Sequence, residues 1–213
     1  MAGIIGQDAW VYRTSLEEGS GRQPVIVLLH GWTGDENSMW VFTPRLPVKR
    51  LFIAPRGLFP AAQGGYSWHA HLNGWPRMDH FRPAVDGLLE LLTDRRFPEG
   101  DFSELHLVGF SQGAALAYAF TLLYPERVAS LSVLSGFLPE GAATEPSTKR
   151  GNGLPVFITH GTKDELVPVE RARQAAETFQ QAGAMVTYCE HDVGHKLSAN
   201  CFRGLEIFHR GLG

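Results

Sequence analysis

The chain has 213 residues, 44% of them hydrophobic and 19% charged, with a net charge of −3 drawn from mixed signs. That length fits a single domain over residues 1–213 with a full core. The charge balance, with no basic stripe, gives no reason to expect nucleic acid or an anionic membrane as a partner. No apolar run approaches the length of a membrane span, so no stable membrane insertion is expected. Met1 to Trp10 lacks a basic start and a long apolar stretch, and reads as no signal peptide. Cys189 and Cys201 are the two cysteines and form no C-x-x-C pair. They read as reduced thiols in or near the core, which makes a cytoplasmic, disulfide-free protein the default.

Apolar runs alternate with helical patterns along the whole chain. Trp10 to Ser15 alternates and is expected at a sheet edge. Pro24 to Leu29 is a short continuous apolar run, the pattern of a strand buried on both faces. Leu51 to Ala54, Leu105 to Val108, Val128 to Leu134 and Val156 to Thr159 repeat it, and Met185 to Cys189 adds a last strand. Helices are expected over Ala84 to Thr93, Gln112 to Tyr124, Glu170 to Ala182 and Ala199 to His209, with Gly183 placed to end the third. Strands alternating with helices predict a mostly parallel sheet covered on both faces. Two stretches break the rhythm. Leu58 to Pro83 is long, aromatic and loop-like, and Pro139 to Gly153 reads as a polar surface loop.

Gly109-Phe110-Ser111-Gln112-Gly113 follows the run Leu105 to Val108 and precedes a good helix former. The pentapeptide G-x-S-x-G alone is weak, but strand, sharp turn and helix together place a strained serine at the carboxyl edge of a sheet. The flanking glycines are a steric requirement of so tight a turn. A serine hydroxyl needs a base to take its proton and donors for the oxyanion formed on attack. In this arrangement the acid and then the histidine follow the serine in chain order, at the ends of later strands.

After Val156 to Thr159 comes His160-Gly161-Thr162-Lys163-Asp164-Glu165, with Asp164 a few residues past the strand end. Glu165 is adjacent, and spacing does not separate the two. After the last strand, His195 sits in a Gly-containing loop, with His191 just past the strand as its rival. For the oxyanion, the Gln112 N–H stands at a helix start, where the helix dipole favours negative charge. The Trp32 N–H follows Gly31 in the loop after the strand that ends at Leu29. His30 reads as packing for that loop. No H-E-x-x-H or paired Cys/His spacing exists, so no metal is expected.

The segments HGWTGDE, GFSQG, HGTKDELVP and the later GH together resemble the α/β-hydrolase family of phospholipase/carboxylesterases, which includes the acyl-protein thioesterases. The resemblance runs from Leu28 to His195, in order and at similar intervals. It implies an α/β-hydrolase fold; no large cap domain is expected, because only the polar stretch Gly136 to Leu154 is available where this fold commonly inserts one. It implies Ser111 as nucleophile, Asp164 as acid and His195 as base, with Trp32 and Gln112 supplying the oxyanion hole. It also implies hydrolysis of a small-molecule carboxylic ester or thioester without a cofactor. Thioesterase members usually carry G-G-F-S-Q-G-G; here Val108 and Ala114 replace the outer glycines, and the aromatic loop carries its own Trp68-His69-Ala70-His71.

The expected activity is that of a serine carboxylesterase for short to medium acyl chains. A thioesterase or lysophospholipase of the same family, a peptidase or lactone hydrolase of the same fold, and a non-catalytic ligand-binding scaffold are the other readings. Phe59, Tyr66, Trp68 and Trp75 are the aromatic residues expected to line an apolar substrate pocket. The sequence says little about oligomeric state.

Overall fold

The computed structural model describes residues 10–15, 21–47, 50–142 and 153–212. Most of the expected polar loop, 143–152, and the N-terminal stretch before Trp10 lie outside the described residues. Seven strands form one sheet: β1 (Tyr12–Thr14), β2 (Gln23–Leu29), β3 (Leu51–Pro55), β6 (Gly100–Phe110), β7 (Val128–Leu134), β8 (Pro155–Gly161) and β9 (Met185–His191). Their order across the sheet is β1-β3-β2-β6-β7-β8-β9. The edge strand β1 runs antiparallel to β3, and every other pair is parallel. The helices are α1 (Met78–Leu91), α2 (Gln112–Leu123), α3 (Val169–Gln181) and α4 (Ala199–Arg210). This is the α/β-hydrolase architecture that the sequence suggests.

The continuous apolar runs are explained by burial on both sheet faces. Along β2, Val25, Val27 and Leu29 enter the larger core with α1, α2 and α3, whereas Ile26 and Leu28 enter the smaller core with Leu205 of α4. A strand with water on one face would have alternated. Helix α2 is buried from Gln112 to Leu122, so its whole circumference faces the protein interior. Helix α3 ends as expected at Gly183, whose φ of +89 is reached without strain by glycine.

Two boundaries differ from the sequence reading. Helix α1 starts at Met78, six residues before Ala84, and takes in Pro83. Met78, Phe81, Val85 and Leu88 form a buried stripe at helical spacing. The Arg77 N–H donates to His80 Nδ1 at 3.0 Å, and this end device is not among the usual start signals. Inside the aromatic loop, β4 (Phe59–Pro60) and β5 (Tyr66–Ser67) form a small hairpin.

The cysteine expectation is overturned: Cys189 and Cys201 form a disulfide. They lie on β9 and on the first turn of α4, which pack side by side with a Cα–Cα distance of 5.7 Å. That separation suits a disulfide, and it is created by the packing of a helix on a strand, which residue spacing does not reveal.

The chain leaves β2 toward β3 on one side of the sheet and leaves β6 toward β7 on the other. The carboxyl ends of β2 and β6 therefore flank a topological switch point, where open α/β sheets carry their ligand crevice. Gly31-Trp32 and Ser111 follow those two strand ends.

Candidate active site

Ser111 sits between β6 and α2 with φ 53 and ψ −116, outside the regions an L-residue prefers. Such a conformation costs roughly 1–3 kcal/mol and persists when the surroundings impose it. Here they do. A Cβ at Gly109 would collide with the Gly113 carbonyl, and one at Gly113 with the carbonyls of Leu29 and His30. The Ser111 N–H is tied to Leu134 O at 2.9 Å. The turn is thus clamped between β2 and β7.

Asp164 and His195 are brought together from loops after β8 and β9. The Asp164 side chain is fully buried, and its Oδ2 accepts from His195 Nδ1 at 2.7 Å. Its Oδ1 accepts the Leu166 and Val167 N–H groups at 3.0 and 2.9 Å. With Nδ1–H committed to the carboxylate, the other ring nitrogen of His195 is left as the basic one. The two loops are zipped by Thr162 N–H to His191 O at 2.9 Å and Lys163 N–H to Val193 O at 3.0 Å. A Cβ at Gly161 would meet the Val193 and Gly194 carbonyls, so glycine is what lets the loops approach. The His195 ring packs on Phe110, the neighbour of Ser111, at 5.0 Å between centroids. The rivals stand apart. Glu165 is exposed, and His191 is exposed and bonded to Asn200 Nδ2 at 3.1 Å.

His160, near the end of β8, braces Asp164. Its Nε2 lies 2.8 Å from Val167 O and 3.2 Å from Asp164 Oδ2, so that nitrogen carries the proton. Its buried Nδ1 has no partner among the described residues, which fits a bare lone pair better than an N–H. Burial lowers its pKa. The contact with Asp164 is therefore a hydrogen bond from a neutral ring.

Gln112 opens α2, and the first N–H groups of a helix have no intrahelical partner. Its side chain is held at several points. Oε1 accepts the Trp68 N–H at 2.9 Å, and Nε2 donates to Ser67 Oγ at 3.0 Å and meets His69 Nε2 at 2.9 Å. His69 Nδ1 lies 2.7 Å from Ala70 O and so carries that ring's proton, leaving Nε2 to accept from Gln112. Burial lowers the His69 pKa, in keeping with the neutral ring. The sequence reading placed His69 only in the aromatic loop; the contact with Gln112 spans 43 positions and had no local signal.

Trp32 lies in a loop fixed to the small hairpin by Thr33 N–H to Tyr66 O and Tyr66 N–H to Gly34 O, both 2.9 Å. His30 braces the same loop from beneath. Its Nδ1 lies 2.7 Å from Gly31 O and its Nε2 accepts the Gly57 N–H at 2.8 Å. That is the packing role read from the sequence.

A cavity of about 540 Å³ opens beside Ser111 and Gln112. Its apolar wall includes Trp32, Leu72, Trp75, Phe137 and Leu166, with His69 and His71 as polar members. Of the four aromatic residues expected there, Trp75 lines it, set edge-on to Phe137 at 4.9 Å. The other three are elsewhere. Trp68 is fully buried under the site with Nε1–H bonded to His30 O at 2.7 Å. Tyr66 carries the Arg56 guanidinium 4.5 Å above its ring. Phe59 is committed to the hairpin, opposite Ser67. Leu72, Phe137 and Leu166 were missed because they come from three separate loops. Among the described residues no group of three or more His, Cys, Asp or Glu is placed to hold a metal ion, and no helix is long and apolar enough to cross a membrane.

The strained serine on a strand-to-helix turn and the buried Asp164 carboxylate paired with a half-buried His195 beyond later strand ends define a site of the α/β-hydrolase class. The profile of the phospholipase/carboxylesterase family matches residues 15–209, and the chain belongs to that family of hydrolases. It is 31% identical over 176 residues to acyl-protein thioesterase 1 of Kluyveromyces lactis, covering 74% of this chain and 76% of that protein. It is 33% identical over 104 residues to a probable carboxylesterase SOBER1-like protein of Arabidopsis thaliana, covering 48% and 40%. Among solved structures, the Bacillus cereus carboxylesterase superposes with a TM-score of 0.81 at 19% identity, covering 96% and 95% of the two chains.

Proposed function

We propose that this protein is a serine carboxylesterase in which Ser111 is the nucleophile, His195 the general base and Asp164 the acid that orients it. The observation that carries the reading is the Asp164–His195 hydrogen bond of 2.7 Å beside a serine held at φ 53. His195 takes the Ser111 proton as Oγ attacks the ester carbonyl. Asp164 holds the imidazole in one tautomer and stabilises its charge. The backbone N–H groups of Trp32 and Gln112 receive the oxyanion. The alcohol leaves with the proton from His195, and water releases the acyl group by the reverse path.

The acyl chain is assigned to the cavity of Leu72, Trp75 and Phe137, a volume in the usual range for small-molecule sites. Its size and its place in an open cleft favour soluble esters with short to medium acyl chains. The second reading is a thioester substrate, supported by the relatives named as acyl-protein thioesterases. The same site would serve either leaving group.

Compartment is the one point where the disulfide weighs against the sequence reading. A Cys189–Cys201 bond persists in an oxidising compartment and is rare in the cytoplasm expected from sequence.

A fluorophosphonate is expected to add once, at Ser111, and a chain-length series of matched p-nitrophenyl esters and thioesters to show esters of short to medium length turned over best. Labelling that persists in Ser111→Ala would defeat the nucleophile assignment. A jump in rate on emulsion formation with long chains would defeat the substrate class.

A further inference from the structure

A second cavity, of about 520 Å³, shares Trp32 with the first. Its wall includes Met39, Val41, Phe42, Phe110, Leu197 and Phe202. Trp32 borders both cavities, so the two meet at the loop whose N–H is assigned to the oxyanion. Ser111 and Gln112 line the first cavity. The second is walled by the neighbours of the base: Lys196 and Leu197 follow His195 directly, and Phe110 is the ring on which the His195 imidazole packs.

The chemistry of the proposed function distinguishes the two sides of an ester. The acyl group stays on Ser111 after the first step. The alcohol oxygen must depart toward His195, because that ring supplies its proton. Of the two cavities, the second is the one walled by the residues that follow His195 and by the ring that packs on it. We propose that this cavity binds the alcohol portion of the substrate and selects esters of bulky apolar alcohols, aromatic or branched aliphatic; the assignment rests on the serine-esterase reading above.

The cavity is built for such a group. Phe42 and Phe202 stack at 5.4 Å with an interplanar angle of 19°, giving it an aromatic floor. Val41 and Trp32 stay 68% and 48% exposed at its rim, large hydrophobic side chains left uncovered by the fold. Among the described residues, Lys196 is the one charged side chain lining it, and no carboxylate does. An alcohol bearing a cation is disfavoured there, and one bearing an anion is tolerated.

Alcohols that occupy the cavity will also intercept the acyl-enzyme. The alcohol oxygen bonds to the acyl carbon, its proton passes to His195, the bond from Ser111 Oγ to that carbon breaks, and Ser111 recovers a proton from His195. The ratio of ester to acid formed from one acyl-enzyme therefore reads the alcohol site alone.

The test compares methyl and benzyl butanoate and measures transfer from a butanoyl donor to added benzyl alcohol. Val41→Glu places a carboxylate at the exposed rim. It is expected to lower the benzyl-to-methyl ratio of kcat/KM by about tenfold, the scale of a lost apolar contact in a pocket, and to lower the transfer-to-hydrolysis ratio similarly. Ile207→Glu, also exposed but on α4, should leave both ratios unchanged. Unchanged ratios in Val41→Glu overturn the proposal. So does a shift in acyl-chain preference among methyl esters, which would put the acyl group in this cavity. The serine-esterase reading fails separately, by activity that survives in Ser111→Ala.

Discussion

His195 Nδ1 and Asp164 Oδ2 are 2.7 Å apart although 31 positions separate the two residues. The carboxylate that makes this contact is fully buried, and its other oxygen is held by two backbone N–H groups. Glu165, one residue on, points to solvent. Asp164→Asn should therefore cut kcat by about 10⁴, the scale set by the matching change in serine proteases, where the amide holds the wrong tautomer. Glu165→Gln and His191→Ala should stay within about twofold of the parent, as surface changes away from the site usually do. Steady-state kinetics on a p-nitrophenyl ester checks all three.

Gln112 and His69 form a second coupled pair. Through it, the residue that supplies the proposed oxyanion N–H is braced against the aromatic loop. His69→Phe keeps the ring and its edge contact with Phe81 but removes the acceptor. One lost hydrogen bond is worth about 1 kcal/mol, so kcat should fall roughly fivefold. In a Gln112→Met background, which keeps the backbone N–H, the same change should have little effect. An undiminished loss in that background would show that His69 acts by another route.

Stability should fall in acid through two buried histidines far from the site. His106 meets Ser130 Oγ at 2.8 Å and His209 meets Ser132 Oγ at 3.0 Å. Burial, with Arg50 adding repulsion, lowers His106 to about 4 and His209 to about 3; His209 is also lowered by His106. Both folded values lie below the ordinary 6.5, so the unfolded chain binds more protons between them. Stability is thus complete above pH 6.5 and is lost as pH falls from there toward 4, by about 1.4 kcal/mol per histidine per pH unit. Urea unfolding between pH 7 and 4.5 measures the slope, and His209→Gln should flatten it.

The Cys189–Cys201 bond joins the last strand to the last helix across a separation of 12 residues. Closing a loop of that length stabilises by about 3 kcal/mol at most in the chain-entropy view. Cys201→Ser, or full reduction, should lower the unfolding free energy by about 2–3 kcal/mol. Thiol alkylation before and after reduction, followed by mass spectrometry, reports whether the bond is present in protein taken from its own cells. Two thiols free from the start would restore the reduced, cytoplasmic reading.

The sequence by itself determined the strand positions, the alternation that makes a parallel sheet, and the turn that carries Ser111. These are local signals: apolar runs of strand length, and glycines wherever a Cβ would strike a neighbouring carbonyl. Chain order then named Asp164 and His195 but left Glu165 and His191 open, because spacing along a loop does not say which side chain turns inward. The tertiary structure turns Asp164 inward and pairs it with His195, and leaves Glu165 and His191 exposed. Tertiary structure alone decided the start of α1, where the apolar stripe from Met78 prevails over Pro83. It alone decided the disulfide, formed because α4 packs on β9. It also placed Trp68 beneath the site and left Trp75 in the cavity, with Leu72, Phe137 and Leu166 converging from separate loops. A pocket is the space left between segments distant in the chain, so its lining carries no mark in the local sequence, whereas the strained turn that holds the serine is written in five consecutive residues.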